Sequence, residues 1–224
     1  MSFNKKFFTT GGIVASAPPA AAAFDPLQNF ETVTYTGNGS TQKITGYIRK
    51  GAAFNGSSSY IESASLNYAT LPTNTAWAVS CWINLGSTSI TTTALSLMNP
   101  SSPFSGWALF IQNGTVHLAT NGSSPVATTG SFANLSANTW MHVVLSYDGS
   151  GTTTIYYNGN FGATVSQTIN ASTNGNFRIG YAGGWGYFNG KIDQVRIFNT
   201  ALNSTQAGQL ALETYEDPKK STTD

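Results

Sequence analysis

Residues 138–159, NTWMHVVLSYDGSGTTTIYYNG, leave this chain little choice but antiparallel β-structure. From 140 to 147 the residues alternate between two faces, with Trp140, His142, Val144 and Ser146 on one and Met141, Val143, Leu145 and Tyr147 on the other. A period of two is the signature of a strand, whose side chains point to opposite sides of the sheet in turn. Asp148-Gly149-Ser150-Gly151 supplies the residues a reversal needs, because glycine accepts positive φ and aspartate bonds its own backbone. The chain returns through Thr153, Thr154, Ile155, Tyr156 and Tyr157, all β-branched or aromatic, and meets Asn158-Gly159. Asn-Gly suits a second tight turn, since both residues tolerate left-handed backbone angles.

The pattern recurs along the chain. Strands are expected at 52–54, 59–63, 77–84, 93–98, 107–112, 115–120, 140–147, 153–157, 161–168, 176–180 and 189–198, at the short intervals a β-sandwich requires. Asn113-Gly114 joins two of them as a two-residue hairpin. Gly37-Asn38-Gly39-Ser40 is flanked by residues 32–35 and 42–47 as another hairpin. The stretches 86–93 and 99–105 are loops. One helix is expected after Ala201, capped by Asn203 with Gln206 returning the bond, and ending at Leu210 and Leu212 near Glu213. The tryptophans of the strand patterns are expected in the core.

At 224 residues the chain suits a single all-β domain with a core large enough to need no staples. The net charge is +1, so bulk electrostatics imply no nucleic-acid partner. Between Lys50 and Arg178 there is no Lys or Arg, and only Glu62 and Asp148 are acidic. Charges normally guard sheet edges against association, so such a surface fits either coverage by neighbouring subunits, and hence a homo-oligomer, or adaptation to a salty medium. Cys81 is the sole cysteine, excludes an intramolecular disulfide and sits in a strand pattern as a small buried hydrophobe. No apolar run approaches the roughly 18 residues of a membrane span.

W-x-H-V-x-x-x-Y-D-G (140–149) followed by I-Y-x-N-G (155–159) resembles the laminin G-like, concanavalin A-like jelly-roll modules. The same family order appears in Ala53-Phe54-Asn55-Gly56-Ser57, Ala78-Val79-Ser80-Cys81-Trp82-Ile83, Phe177-Arg178-Ile179-Gly180 and the run from Phe188 to Asn199. The resemblance covers roughly residues 50–213 and implies an all-β, antiparallel two-sheet jelly-roll sandwich with one short C-terminal helix. The expected organisation is an extended N-terminal arm at 1–30, the sandwich at 31–213 and a charged tail at 214–224.

The opening MSFNKKFFTTGGIVAS and the phrase YTGNGSTQ-K-I-T-G resemble segments of tailed-bacteriophage structural proteins. That likeness implies a virion protein, on the head surface or in a fibre, anchored to other virion proteins by an arm that includes Phe3, Phe7, Phe8, Ile13, Val14, Pro18 and Pro19. From the residues alone the first thirty positions fit an extended docking arm, a disordered leader or a signal peptide, although Thr9-Thr10-Gly11-Gly12 and Pro18-Pro19 interrupt any uniform apolar region.

Glycosidases share this fold, and retaining hydrolysis needs two carboxylates about 5 Å apart. None of the nine acidic residues sit two or four apart within a strand, so no catalytic residue and no enzyme activity is expected. Asp193 is expected to be structural, accepting bonds from backbone or Arg196. His117 and His142 stand on separate strands without a nucleophile motif, and no ligand cluster suggests a metal. No cofactor is expected; the alternative is a calcium site of backbone carbonyls with Asp148 or Asp193. The strongest binding candidate is the glycine-rich loop 180–188, bearing Tyr181, Trp185 and Tyr187. Its rings suit the apolar face of a sugar, contact with a neighbouring protein, or packing on the sandwich. Phe104 and Trp107 form a weaker second candidate. The expected function is a non-enzymatic virion structural protein, with a secreted or cell-surface lectin as the alternative.

Overall fold

A computed structural model describes residues 34–36, 42–45, 47, 50–67, 71–99, 105–121, 135–171 and 175–213. The arm residues Phe3, Phe7, Phe8, Ile13, Val14, Pro18 and Pro19, the tail, Phe104 and the turn 37–40 lie outside them. In chain order the strands are β1 (Thr34–Thr36), β2 (Gln42–Thr45), β3 (Lys50–Asn55), β4 (Tyr60–Asn67), β5 (Trp77–Leu85), β6 (Thr91–Met98), β7 (Gly106–Gln112) and β8 (Thr115–Thr120). There follow β9 (Trp140–Tyr147), β10 (Thr152–Tyr157), β11 (Asn160–Ser166), β12 (Asn176–Ile179), β13 (Tyr181–Ala182), β14 (Gly186–Tyr187), β15 (Asn189–Phe198) and the helix α1 (Ser204–Ala211).

Two antiparallel sheets face each other. One has six strands in the order β1-β4-β12-β6-β7-β8, the other seven in the order β11-β10-β9-β5-β15-β3-β2. The 138–159 segment forms two successive hairpins, with Thr153 opposite Tyr147 and Tyr157 opposite Val143. The Asp148 carboxylate accepts the backbone N–H groups of Ser150 at 2.7 Å and Thr152 at 2.9 Å, which closes the first turn. At the second, Asn158 and Gly159 take φ of +46° and +79°. The Asn113-Gly114 hairpin forms as the sequence predicts, with φ of +51° and +74°.

The hairpin expected across residues 32–47 does not form. β1 pairs with β4, placing Tyr35 opposite Ile61, whereas β2 pairs with β3, placing Ile44 opposite Gly51. The two short strands therefore extend different sheets. Each finds a longer strand already built beside it, which offers a ladder the pair could not supply for each other.

Between the sheets, Trp77 and Trp107 stack at 5.1 Å, and Tyr147 and Phe177 pack around them. Each fully buried ring or aliphatic side chain here contributes about 1.5–3 kcal/mol. Cys81 is completely buried among them, and burial pushes its thiol far above the usual range. Helix α1 covers the outer face of the seven-stranded sheet, seating Ala207 and Leu210 on Ala78, Val144, Tyr156 and Phe198. Its capping box is the predicted one: Gln206 N–H donates to Asn203 Oδ1 at 3.0 Å, and Asn203 N–H to Gln206 Oε1 at 2.9 Å. The helix ends where expected, with Leu212 as its C-cap, 81% exposed.

Candidate functional site

The glycine-rich stretch after β12, read from the sequence as a loop, is a small hairpin folded back on the six-stranded sheet. Gly180 starts it with φ of +87°, and a Cβ there would stand 2.5 Å from the Phe54 ring. Only glycine lets the chain leave the sandwich at this point. β13 and β14 then pair Tyr181 with Tyr187 and Ala182 with Gly186. The hairpin is fastened along β6: the Thr92 hydroxyl donates to Tyr187 O at 2.7 Å, Thr93 to Trp185 O at 3.3 Å and Ser96 to Tyr181 O at 2.7 Å. These bonds reach across more than eighty residues and give the hairpin a fixed seat.

The three predicted aromatics separate into two groups. Tyr181 and Tyr187 stack at 4.4 Å, and Tyr60 of β4 joins them at 5.2 and 6.1 Å. All three rings are half-buried, so each keeps a face or edge in solvent. Trp185 lies against Phe110 of β7 at 4.7 Å, and Phe110 stacks on His117 of β8 at 4.9 Å. Trp185 is thus partly spent on packing, beside Met98, Ala108 and Ala119.

The row of rings crosses the outer face of the sheet from β4 to β8. Between its ends, Arg178 pairs with Glu62 at 2.8 Å, and Asn176 donates to the same Glu62 oxygen at 2.9 Å. Burial, with Tyr181 and Tyr60 alongside, raises the Tyr187 phenol above its ordinary range, so it stays an O–H donor at neutral pH. Burial lowers the His117 imidazole, which makes it neutral there. Among the described residues the face carries one internally paired ion pair and no nucleophile–base arrangement, and its rings and hydroxyls can stack an apolar ring and hydrogen-bond that ring's hydroxyls.

Tyr60, Phe110 and His117 were not among the predicted residues. The signal existed in the registers: Tyr60 alternates with core-facing Ile61, and counting back from Asn113-Gly114 places Phe110 opposite His117. A second aromatic cluster was also missed. Tyr47 stacks on Trp82 at 3.5 Å, Trp82 neighbours His142 at 5.2 Å, and Trp140 stands 6.1 Å from Tyr47. Trp82 and Trp140 therefore lie on the outside of the seven-stranded sheet, which corrects the expectation that the strand tryptophans fill the core. Trp107, offered with Phe104 as a binding candidate, is fully buried between the sheets.

The described carboxylates each have structural partners. Asp193 is completely buried and accepts the Gln194 backbone N–H at 2.7 Å. Glu213 pairs with Arg196, whose guanidinium also donates to Gln194 Oε1 at 3.1 Å. Asp148 and Asp193, named for calcium, stand apart: the strand residue before Asp148 lies opposite Trp77, while Asp193 lies opposite Trp82. Among the described residues no three His, Cys, Asp or Glu side chains converge as a metal site, and no helix is long and apolar enough to cross a membrane.

Two packed antiparallel sheets of six and seven strands, with an aromatic outer face, define a lectin-type jelly roll. The chain belongs to the concanavalin A-like lectin/glucanases superfamily, whose model matches residues 55–207. Among solved structures it is similar to domain 4 of an extracellular GH43 arabinanase from Geobacillus stearothermophilus, in complex with arabinotriose. That match has a TM-score of 0.67 and 25% identity over 80% of this chain and 87% of that one. It is also similar to the receptor-binding domain of botulinum neurotoxin C/D mosaic serotype (TM-score 0.58, 18% identity, 80% of this chain and 45% of that one). A Trypanosoma rangeli sialidase bound to the inhibitor DANA shares the fold as well (TM-score 0.57, 14% identity, 80% of this chain and 32% of that one). The chain spans less than half of the toxin and sialidase chains. No curated protein matches the sequence.

Proposed function

We propose that the chain is a non-enzymatic structural protein of a tailed-phage particle that presents a glycan-binding sandwich, with Tyr60, Tyr181 and Tyr187 as the stacking platform. The observation that carries the binding half is the three-ring cluster, half-exposed and fixed to β6 by three hydrogen bonds. Rigid rings bind sugars at little entropic cost, and nearby hydroxyls complete recognition. The arabinanase domain in complex with arabinotriose supports a saccharide as the ligand class. The absence of catalysis is supported by the occupied state of each described carboxylate. The virion half rests on the likeness of the opening residues and of YTGNGSTQ to phage structural proteins.

A glycan array on the intact chain tests the first half. Binding should fall at least tenfold in Tyr181→Ala and Tyr187→Ala, and Trp185→Ala should act mainly through hairpin packing. An array without signal removes the glycan reading. Deleting residues 2–24 tests the second: loss of particle incorporation by a folded protein supports anchoring, and unchanged incorporation refutes it. Glycan binding together with unchanged incorporation favours the free lectin or adhesin, a reading that the arabinanase likeness also supports.

A further inference from the structure

The six-stranded sheet is built almost without charge. Strands β4, β6, β7, β8 and β12 and the β13–β14 hairpin all fall within residues 60–187. In that span Arg178 is the sole basic residue, and Glu62 and Asp148 are the acidic ones. Asp148 belongs to the β9–β10 turn of the other sheet, and β1, the remaining strand, reads TYT. The strands of this face therefore supply one cation and one anion, and the two are paired with each other at 2.8 Å.

The pair borders the tyrosine platform. Ile61, Phe177 and Ile179 belong to the core between the sheets, so Tyr60, Glu62 and Arg178, which alternate with them, stand on the outer face. Glu62 follows Tyr60 about 7 Å further along β4, and Arg178 lies opposite Glu62 on β12. The guanidinium spends its donors on the protein, on Glu62 Oε1 at 2.8 Å and Met98 O at 3.4 Å. Glu62 is the more open partner, its side chain 16% exposed against 9% for Arg178. Its Oε1 also accepts Asn176 Nδ2 at 2.9 Å, and among the described residues its second oxygen has no hydrogen-bond partner.

We propose that this ion pair sets the ligand class of the platform: neutral, hydroxyl-rich saccharides are accepted, and saccharides bearing a carboxylate, sulfate or phosphate are turned away. A group seated beside Tyr60 meets a carboxylate with a spare acceptor and a cation already satisfied. A sugar hydroxyl can donate to Glu62 in a charge-assisted bond. An anionic group would shed its hydration there and find like charge in place of a free donor. Glu62 is thus a specificity-determining residue, both as an acceptor and as the cover on Arg178. The inference rests on the reading of the three tyrosines as a glycan platform and adds which glycans that platform takes.

The test is an array of neutral oligosaccharides beside the same oligosaccharides carrying a sialyl, uronic or sulfate group, probed with the full chain. The wild type should prefer the neutral member of each pair by about tenfold or more. Glu62→Gln uncovers Arg178: binding of acidic members should rise by about tenfold and weaken again with added salt, while binding of neutral members falls. The wild-type comparison stands even if the variant fails to fold. A wild type that binds through Tyr181 yet takes acidic members as well as neutral ones overturns this inference and leaves the platform intact. A folded Glu62→Gln protein with an unchanged preference overturns it too. An array with no signal at all removes the platform reading, and this inference with it.

Discussion

His142 and Gly180 show how much a single position carries. Burial, reinforced by the Arg196 guanidinium, brings the His142 imidazole down to about 3, while an unfolded histidine titrates near 6.5. The folded chain keeps it neutral as the unfolded chain takes up a proton. Stability is therefore fully present above about 6.5 and falls as the pH drops towards 3, with a slope of up to about 1.4 kcal/mol per unit. His142→Phe keeps a ring against Trp82 and removes this loss: urea midpoints compared from neutral to acid pH should shift steadily in favour of the variant as the pH falls. A constant gap between the two proteins would contradict the assignment. At Gly180, alanine must adopt φ of +87° and press on the Phe54 ring. The expected cost is about 2 kcal/mol or more in equilibrium unfolding, and the proposed glycan binding should be lost with it because the hairpin leaves its seat.

At the scale of elements, α1 depends on its cap more than on its length. Asn203→Ala removes the half of the capping box in which the Asn203 side chain accepts the Gln206 N–H and should lower stability by about 1 kcal/mol, read as a shift in the urea midpoint at unchanged slope. This helix, its cap and the Asn-Gly hairpins were legible because each is set by residues a few positions apart. The fate of β1 and β2 was not legible: two short strands around a glycine-rich turn look like a hairpin, and only the position of β4 and β3 decides otherwise. The 181–187 hairpin was hidden for a similar reason. Its glycines signal a loop, and the bonds that fold it back come from Thr92, Thr93 and Ser96, more than eighty residues away. Trp82 and Trp140 were assigned to the core because they sit in strand patterns, although their alternation with Cys81 and Met141 already placed them on the opposite face. The candidate site was half legible, through Tyr181 and Tyr187, while Tyr60 needed the sheet order.

Across the whole molecule, charge is sparse, at 8% of residues, and the described ion pairs are largely shielded from solvent. Salt has little to screen, so stability and the proposed glycan affinity should each change by less than about 0.5 kcal/mol between 50 mM and 0.5 M sodium chloride. Titration calorimetry and urea unfolding at both salts check this, and a steep salt dependence would point to a charged ligand. The sandwich also contains its own stopwatch. Cys81, sealed at the centre of β5 and held as the unreactive thiol, meets a chromogenic reagent only when the two sheets part. The pace of its modification then times the rare complete opening of the molecule, without any label having to be introduced.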